Sequence, residues 1–297
     1  MYLIANEIPR SRFSICFHFL KLPVRIEPSF LYYTSLVGLL ILFQAGLFKN
    51  QKVFLFGLSF LIGYWITIFV HELGHALLMK WFKCNPIIIL HTFSGNTIPD
   101  ELPGQPWKVC LIYLGGSLIG FSFALIIESL LRTIGINQSL FIIQIMISTV
   151  LISFVWNTIS LLPILPFDGG HILNAFLMYF SRKKSLLYTL AFSFVVWLTY
   201  SILSIICLFH LNPDLEELLQ RTIIPFGWWS TFLSIYFSLE QFRFLRETRS
   251  RIKEIEKYER ILAFHQSMLE EERDEDLNAE TTGAESFSNR EHQKEDH

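Results

Sequence analysis

One stretch limits what this chain can be: Ile66-Thr67-Ile68-Phe69-Val70-His71-Glu72-Leu73-Gly74-His75-Ala76-Leu77-Leu78-Met79. It places a His-Glu-x-x-His run inside a segment so apolar that it belongs in lipid or in a protein core. On a helix, residues four apart differ by about 40° in angle, so His71 and His75 share a face. Two neutral imidazoles on one face can hold a zinc ion, and Glu72 then lies where it can take a proton from a metal-bound water. The pattern also arises by chance, and its setting separates the two readings. A charged side chain in a membrane span costs roughly 2.5–3.5 kcal/mol on insertion scales. Histidine and glutamate are rarely kept at such a position for packing alone.

Composition says which solvent the segment meets. Of the 297 residues, 52% are apolar and only 17% charged, and mean hydropathy is +0.43. Soluble domains carry about 25% charged residues. The expectation is an all-α polytopic membrane protein. About six spans are expected, Phe30 to Phe48, Val53 to Phe82, Val109 to Leu131, Leu140 to Pro163, Leu186 to Leu211 and Ile223 to Leu239. Small residues in the third (Gly115, Gly116, Ser117, Gly120) would let another helix approach closely. Alternation from Leu22 to Phe30 suggests a short strand at the membrane surface. Asn85 to Gln105 reads as a β-hairpin turning near Ser94 to Asn96.

The organisation expected from these patterns has four parts: a cytoplasmic segment with a surface strand (1–29), a six-helix domain (30–240, core 53–180), a charged cytoplasmic helix (241–272) that could engage a partner, and a disordered acidic tail (273–297). Four scattered cysteines, with no Cys-x-x-Cys pair, argue against a disulfide framework and are expected to be buried thiols. No signal-peptide pattern opens the chain. Lys and Arg fall mostly on one side of the six-span topology, at Arg10, Arg12, Lys21, Arg25, Lys80, Lys83, Lys108, Arg182, Lys183 and Lys184. Both termini should therefore be cytoplasmic, in a membrane of the bacterial inner-membrane type. No feature points to nucleic acid. The second and fourth spans then end on that side, each carrying a polar motif.

The second motif is Trp156-Asn157-Thr158-Ile159-Ser160-Leu161-Leu162-Pro163-Ile164-Leu165-Pro166-Phe167-Asp168-Gly169-Gly170. Asp168 is the only carboxylate between Glu128 and Asp214. Two prolines break the helix before it and two glycines free the backbone after it, so its side chain could be aimed sideways. A capping Asp at an ordinary helix exit is the plainer reading. A zinc site with two histidines is one protein ligand short, and Asp168, at matching depth, is a candidate for the third.

These residues resemble the site-2 protease family of zinc intramembrane metalloproteases. The resemblance runs from about Pro23 to Leu177 and is carried by Pro-Val-Arg-Ile-Glu-Pro-Ser-Phe, His71-Glu72-x-x-His75, the hairpin around Ser94-Gly95, and Leu-Leu-Pro-x-x-Pro-x-Asp-Gly-Gly. It implies a minimal member without a PDZ or CBS domain. It also implies one Zn2+ per chain held by His71, His75 and Asp168, with Glu72 as general base, and hydrolysis of peptide bonds in the transmembrane helix of a membrane-protein substrate. The hairpin is expected to hold the unwound substrate by edge pairing, with Ile88 and Leu90 as the positions to test. Two positions depart from the family. Ser160 stands where an Asn usually assists at the carbonyl oxygen, and either Asn157 or the Ser160 hydroxyl could take that role. Ser117 stands where relatives often have Pro. A non-catalytic relative that binds membrane helices and a transporter with relaying His and Asp residues are the rival readings.

Overall fold

The computed structural model describes residues 11–44, 51–134, 140–210, 231–232, 234–255, 257 and 259. Residues Met1–Phe244 form one compact unit and Leu245–His297 a second. The first begins with a hairpin of β1 (Ile15–Phe19) and β2 (Leu22–Ile26), followed by α1 (Pro28–Gln44) and α2 (Gln51–Trp81). A second hairpin, β3 (Ile87–His91) and β4 (Ser94–Ile98), leads into α3 (Pro106–Ile134) and α4 (Phe141–Ser160). A short α5 (Asp168–Leu177) and a long α6 (Ser185–His210) complete the run, and residues 234–244 are again helical. In the second unit, residues 245–255 are helical.

Among the described residues, four helices are long and apolar enough to cross a membrane: Phe54–Trp81 of α2, Pro106–Ile134 of α3, Phe141–Ser160 of α4 and Ser185–Ile206 of α6. They correspond to the second to fifth expected spans. The count of six is thus met in part. The first expected span appears as the 17-residue α1, and its last residues, with 223–230 of the sixth, lie outside the described residues. So does most of the charged segment beyond residue 255, including the expected disordered tail.

The strand and the hairpin expected separately make one sheet, ordered β1-β2-β3-β4. β2 and β3 run parallel, Val24 opposite Ile88 and Ile26 opposite Leu90, while the outer pairs are antiparallel. The sheet lies on α2 because alternate side chains supply an apolar face: Leu22, Val24, Ile88 and Leu90 are buried with Ile68, Ala76 and Phe30. Two expectations change as a result. The β3–β4 turn is at Thr92-Phe93, with Thr92 at φ 51°, so Ser94 to Asn96 are strand residues. Ile88 and Leu90 lie in a central strand paired on both sides, so proline there would break the sheet itself; the edge strands are β1 and β4. The thiols also differ from expectation. Cys84 is buried, Cys110 is half-buried and Cys16 is exposed on β1.

Helices α2, α3 and α4 pack against one another beneath this sheet, and glycine sets their spacing. A Cβ on Gly74 would collide with the Gly115 carbonyl, and one on Gly63 would press into the backbone of Ser148 and Thr149. Ser59 and Ser148 pair their hydroxyls across α2 and α4 at 3.3 Å. Small residues and polar contacts are what hold helices together where lipid removes the hydrophobic drive.

Candidate metal centre

The apolar run from Phe54 to Trp81 makes α2 one unbroken helix through the motif, and His71 and His75 project from it side by side. Their Nε2 atoms are 3.2 Å apart and their rings meet edge to face at 4.8 Å. Each Nδ1 is committed elsewhere. His75 Nδ1 donates to the Ile112 carbonyl of α3 at 2.8 Å, and His71 Nδ1 donates to Asn157 Oδ1 of α4 at 2.8 Å. These acceptors fix the proton on Nδ1 and leave the Nε2 lone pairs facing inward.

The third group arrives from α5. After α4 ends at Ser160 the chain turns through residues 161–167, and Asp168 opens the next helix. A carboxylate in a helix's first turn lies at the positive end of the helix dipole. Asp168 Oδ2 is 2.9 Å from His71 Nε2 and 3.3 Å from His75 Nε2. The glycines that follow do a different job from the one expected. Both are helical, and a Cβ on either would run into the backbone of Leu161, Leu162, Ile164 or Leu165. They allow α5 to rest against the turn that precedes it.

One ligand atom from each of His71, His75 and Asp168 lies within 4.8 Å of the others. All three inward atoms are acceptors once the Nδ1 protons are assigned, so a cation is what brings them together without repulsion. Two imidazole nitrogens and one carboxylate oxygen form a three-residue donor set that fits zinc. The centre is dry on the protein side, with His71, Glu72 and His75 all buried. Gly116 passes so close that a Cβ there would overlap His75 Nε2.

Glu72 is held from the opposite direction, by the sheet. Thr97 Oγ1 of β4 donates to Glu72 Oε2 at 2.8 Å and lies 3.1 Å from the Glu72 carbonyl. A Cβ on Gly95 would overlap the Glu72 Cγ. Thr97 escaped the sequence reading because a lone threonine in a β-branched stretch gives no signal. The Gly95 contact was half visible in the Ser-Gly-Asn pattern that suggested a turn. His91, at the end of β3, is not drawn into the centre. Its Nε2 accepts from Asn96 Nδ2 at 3.1 Å, and burial holds its pKa below the ordinary imidazole value.

Asn157 is brought to the site, though not as a donor facing a substrate. Its Oδ1 is taken by His71, and its Nδ2 donates to the Ser153 carbonyl at 2.6 Å and to Ser153 Oγ at 3.0 Å. It orients the His71 ring. Ser117 supports it, donating from Oγ to the Asn157 carbonyl at 3.3 Å, so this departure from the family adds a hydrogen bond as well as altering packing. Ser160 is buried as the last residue of α4, and none of the described hydrogen bonds of the three donor side chains runs to it. Asn157→Ala should weaken zinc binding by roughly 10–100-fold, the usual effect of removing a residue that orients a ligand. Chelator competition on the purified protein measures it.

A helical membrane protein with a His-His-Asp donor set, its two histidines buried and its aspartate half-buried, is the class that fold and site define together. No protein-family model matches the chain. The chain is similar to a zinc metalloprotease of Methanocaldococcus jannaschii, 25% identical over 164 residues, which is 54% of this chain and 44% of that protein. The match therefore spans less than half the length of that relative. Among solved structures, a site-2 protease from the same organism aligns with 78% of this chain and 94% of its own, at a TM-score of 0.49 and 20% identity. The curated relative is a zinc metalloprotease, which agrees with the metalloprotease part of the resemblance read from the motifs.

Proposed function

We propose that the chain is a zinc-dependent endopeptidase that hydrolyses peptide bonds in or beside the transmembrane segments of other membrane proteins. The observation that carries this reading is the convergence of His71, His75 and Asp168 at a buried point on a membrane-spanning helix that also presents Glu72. Bound zinc would supply a water of pKa near 7 as nucleophile. The protein's own residues do the rest. Asn157 and the Ile112 carbonyl keep the imidazoles in the tautomer that offers Nε2. Glu72, oriented by Thr97, would hold the carboxylate that accepts a proton during attack and returns it to the leaving amine.

A transmembrane helix hides its carbonyls in its own hydrogen bonds, so the substrate must be extended locally before attack. The free edge of β4 can pair with an extended segment, and β4 is also the strand that touches Glu72. The Lys and Arg distribution supports cytoplasmic termini, which puts the α2 end of the motif on the cytoplasmic side, close to water.

Wild type and Glu72→Gln, purified in detergent, should each retain one zinc. Cleavage of a panel of transmembrane peptides should fall by roughly 10²–10⁴ in the variant, the usual contribution of a general base. Equal cleavage by both proteins would remove Glu72 from the chemistry, and zinc without cleavage in either would remove the protease reading.

A further inference from the structure

Leu165, three residues before Asp168, has a peptide held from outside by side chains of other helices. Its N–H donates to Ser193 Oγ at 2.8 Å. Its carbonyl accepts from Trp197 Nε1 at 2.9 Å and from Gln241 Nε2 at 3.2 Å. Ser193 in turn donates to the Thr189 carbonyl at 2.8 Å, so its hydroxyl is fixed by its own helix. Leu165 and Gln241 are both buried, and the Phe167 ring packs on Trp197 at 6.1 Å. The backbone N–H and C=O of Leu165, which belong to the two peptide groups on either side of its Cα, are therefore both met by α6 and by the helical residues 234–244.

The contact continues toward the metal centre. A Cβ on Gly170 would collide with the Ile164 carbonyl carbon and the Leu165 nitrogen, so the first turn of α5 sits directly on the clamped peptide. Asp168 is the first residue of that turn. Whatever fixes the Leu165 peptide fixes the height and direction from which the carboxylate reaches His71 and His75. We infer that Ser193, Trp197 and Gln241 are positioning residues for Asp168, and that α6 and the following helix thereby set the metal affinity of a site to which they contribute no ligand.

This inference rests on the metal-binding reading of His71, His75 and Asp168. A purely structural role, satisfying a peptide that would otherwise be unpaired in an apolar surrounding, would lower stability without changing the metal's surroundings. The test compares the full chain in detergent as wild type, as Trp197→Phe, as Gln241→Leu, as the double variant, and as Ser238→Ala. The last removes hydroxyl contacts to Ser201 and to the Ser234 carbonyl in the same pair of helices, away from Leu165. Zinc affinity is read by chelator competition and ligand geometry by the visible spectrum of the cobalt(II) form. The double variant should bind zinc about 10-fold or more weakly with an altered cobalt spectrum, and Ser238→Ala should match wild type. If the double variant does not fold, the two single variants carry the test, each expected to weaken zinc several-fold. Wild-type affinity and spectrum without the clamp, or an equal loss in Ser238→Ala, would overturn the inference. Failure of wild type to take up either metal would instead remove the site, and the clamp with it.

Discussion

Gly116→Ala is expected to strip the protein of zinc. The added methyl would overlap His75 Nε2 and lie 2.5 Å from His75 Cε1 and 2.9 Å from His71 Cε1, inside the space where the two imidazoles meet the ion. Neither side can easily give way. His75 is tied to α3 itself through the Ile112 carbonyl, and α3 is pressed against α2 where Gly115 meets Gly74. Overpacking of this kind costs about 1–3 kcal/mol, which a multi-helix protein can survive. The variant should therefore be recovered folded, with zinc below about one-tenth of the wild-type content and cleavage lost in proportion. Elemental analysis of the purified protein decides it. Gly104→Ala, where an added Cβ meets nothing within 4 Å, is the matched control. Full zinc in Gly116→Ala would mean the three donors do not hold the ion together.

Gly95→Ala should do the reverse, keeping the metal and losing the chemistry. Here the new Cβ would overlap Glu72 Cγ and lie 2.7 Å from Cδ, so the carboxylate must swing out of its bond with Thr97. The three atoms nearest the new Cβ all belong to Glu72. One zinc per chain should remain, while peptide hydrolysis falls by roughly 10² or more, as for any displaced general base. Paired zinc and turnover measurements on one preparation separate this from loss of the site. Unchanged turnover would show that Glu72 is not held by β4 during catalysis.

The cluster was legible because its cost is high: in an apolar chain, His71, Glu72, His75 and Asp168 stand out, and the four helices apolar enough to cross a membrane follow from long apolar runs. What could not be read is local or distant. The β1 strand was missed because its turn uses Leu20 and Lys21 at φ 51° and 60°, where Asn-Gly is the usual signal. The hairpin turn was misplaced because Gly95 advertises a turn, whereas it serves a close approach to Glu72 across about two dozen residues of sequence. Gly169 and Gly170 misled in the same way. A glycine's absent side chain records what must come near, and sequence alone does not say what that is. Asn157 was one of two candidates, and its contacts with His71 and Ser153 could not be read, since helix phase shows which face a side chain takes and not which of its atoms is already engaged.

His71 and Asp168 touch although 97 residues separate them. A ribosome making this chain finishes the His-Glu-x-x-His helix well before it reaches α5. At the usual rates of synthesis the interval is roughly 5–20 s. Through that interval the nascent chain has two imidazoles and a glutamate among neighbouring membrane helices, yet lacks the carboxylate that completes the donor set. Dependence on Gln241 would lengthen the delay further. On the proposed function, the order of synthesis thus leaves the centre incomplete while α2, α3 and α4 are being made. On that reading, the three donors come together only once α5 has been made, well after the His-Glu-x-x-His helix.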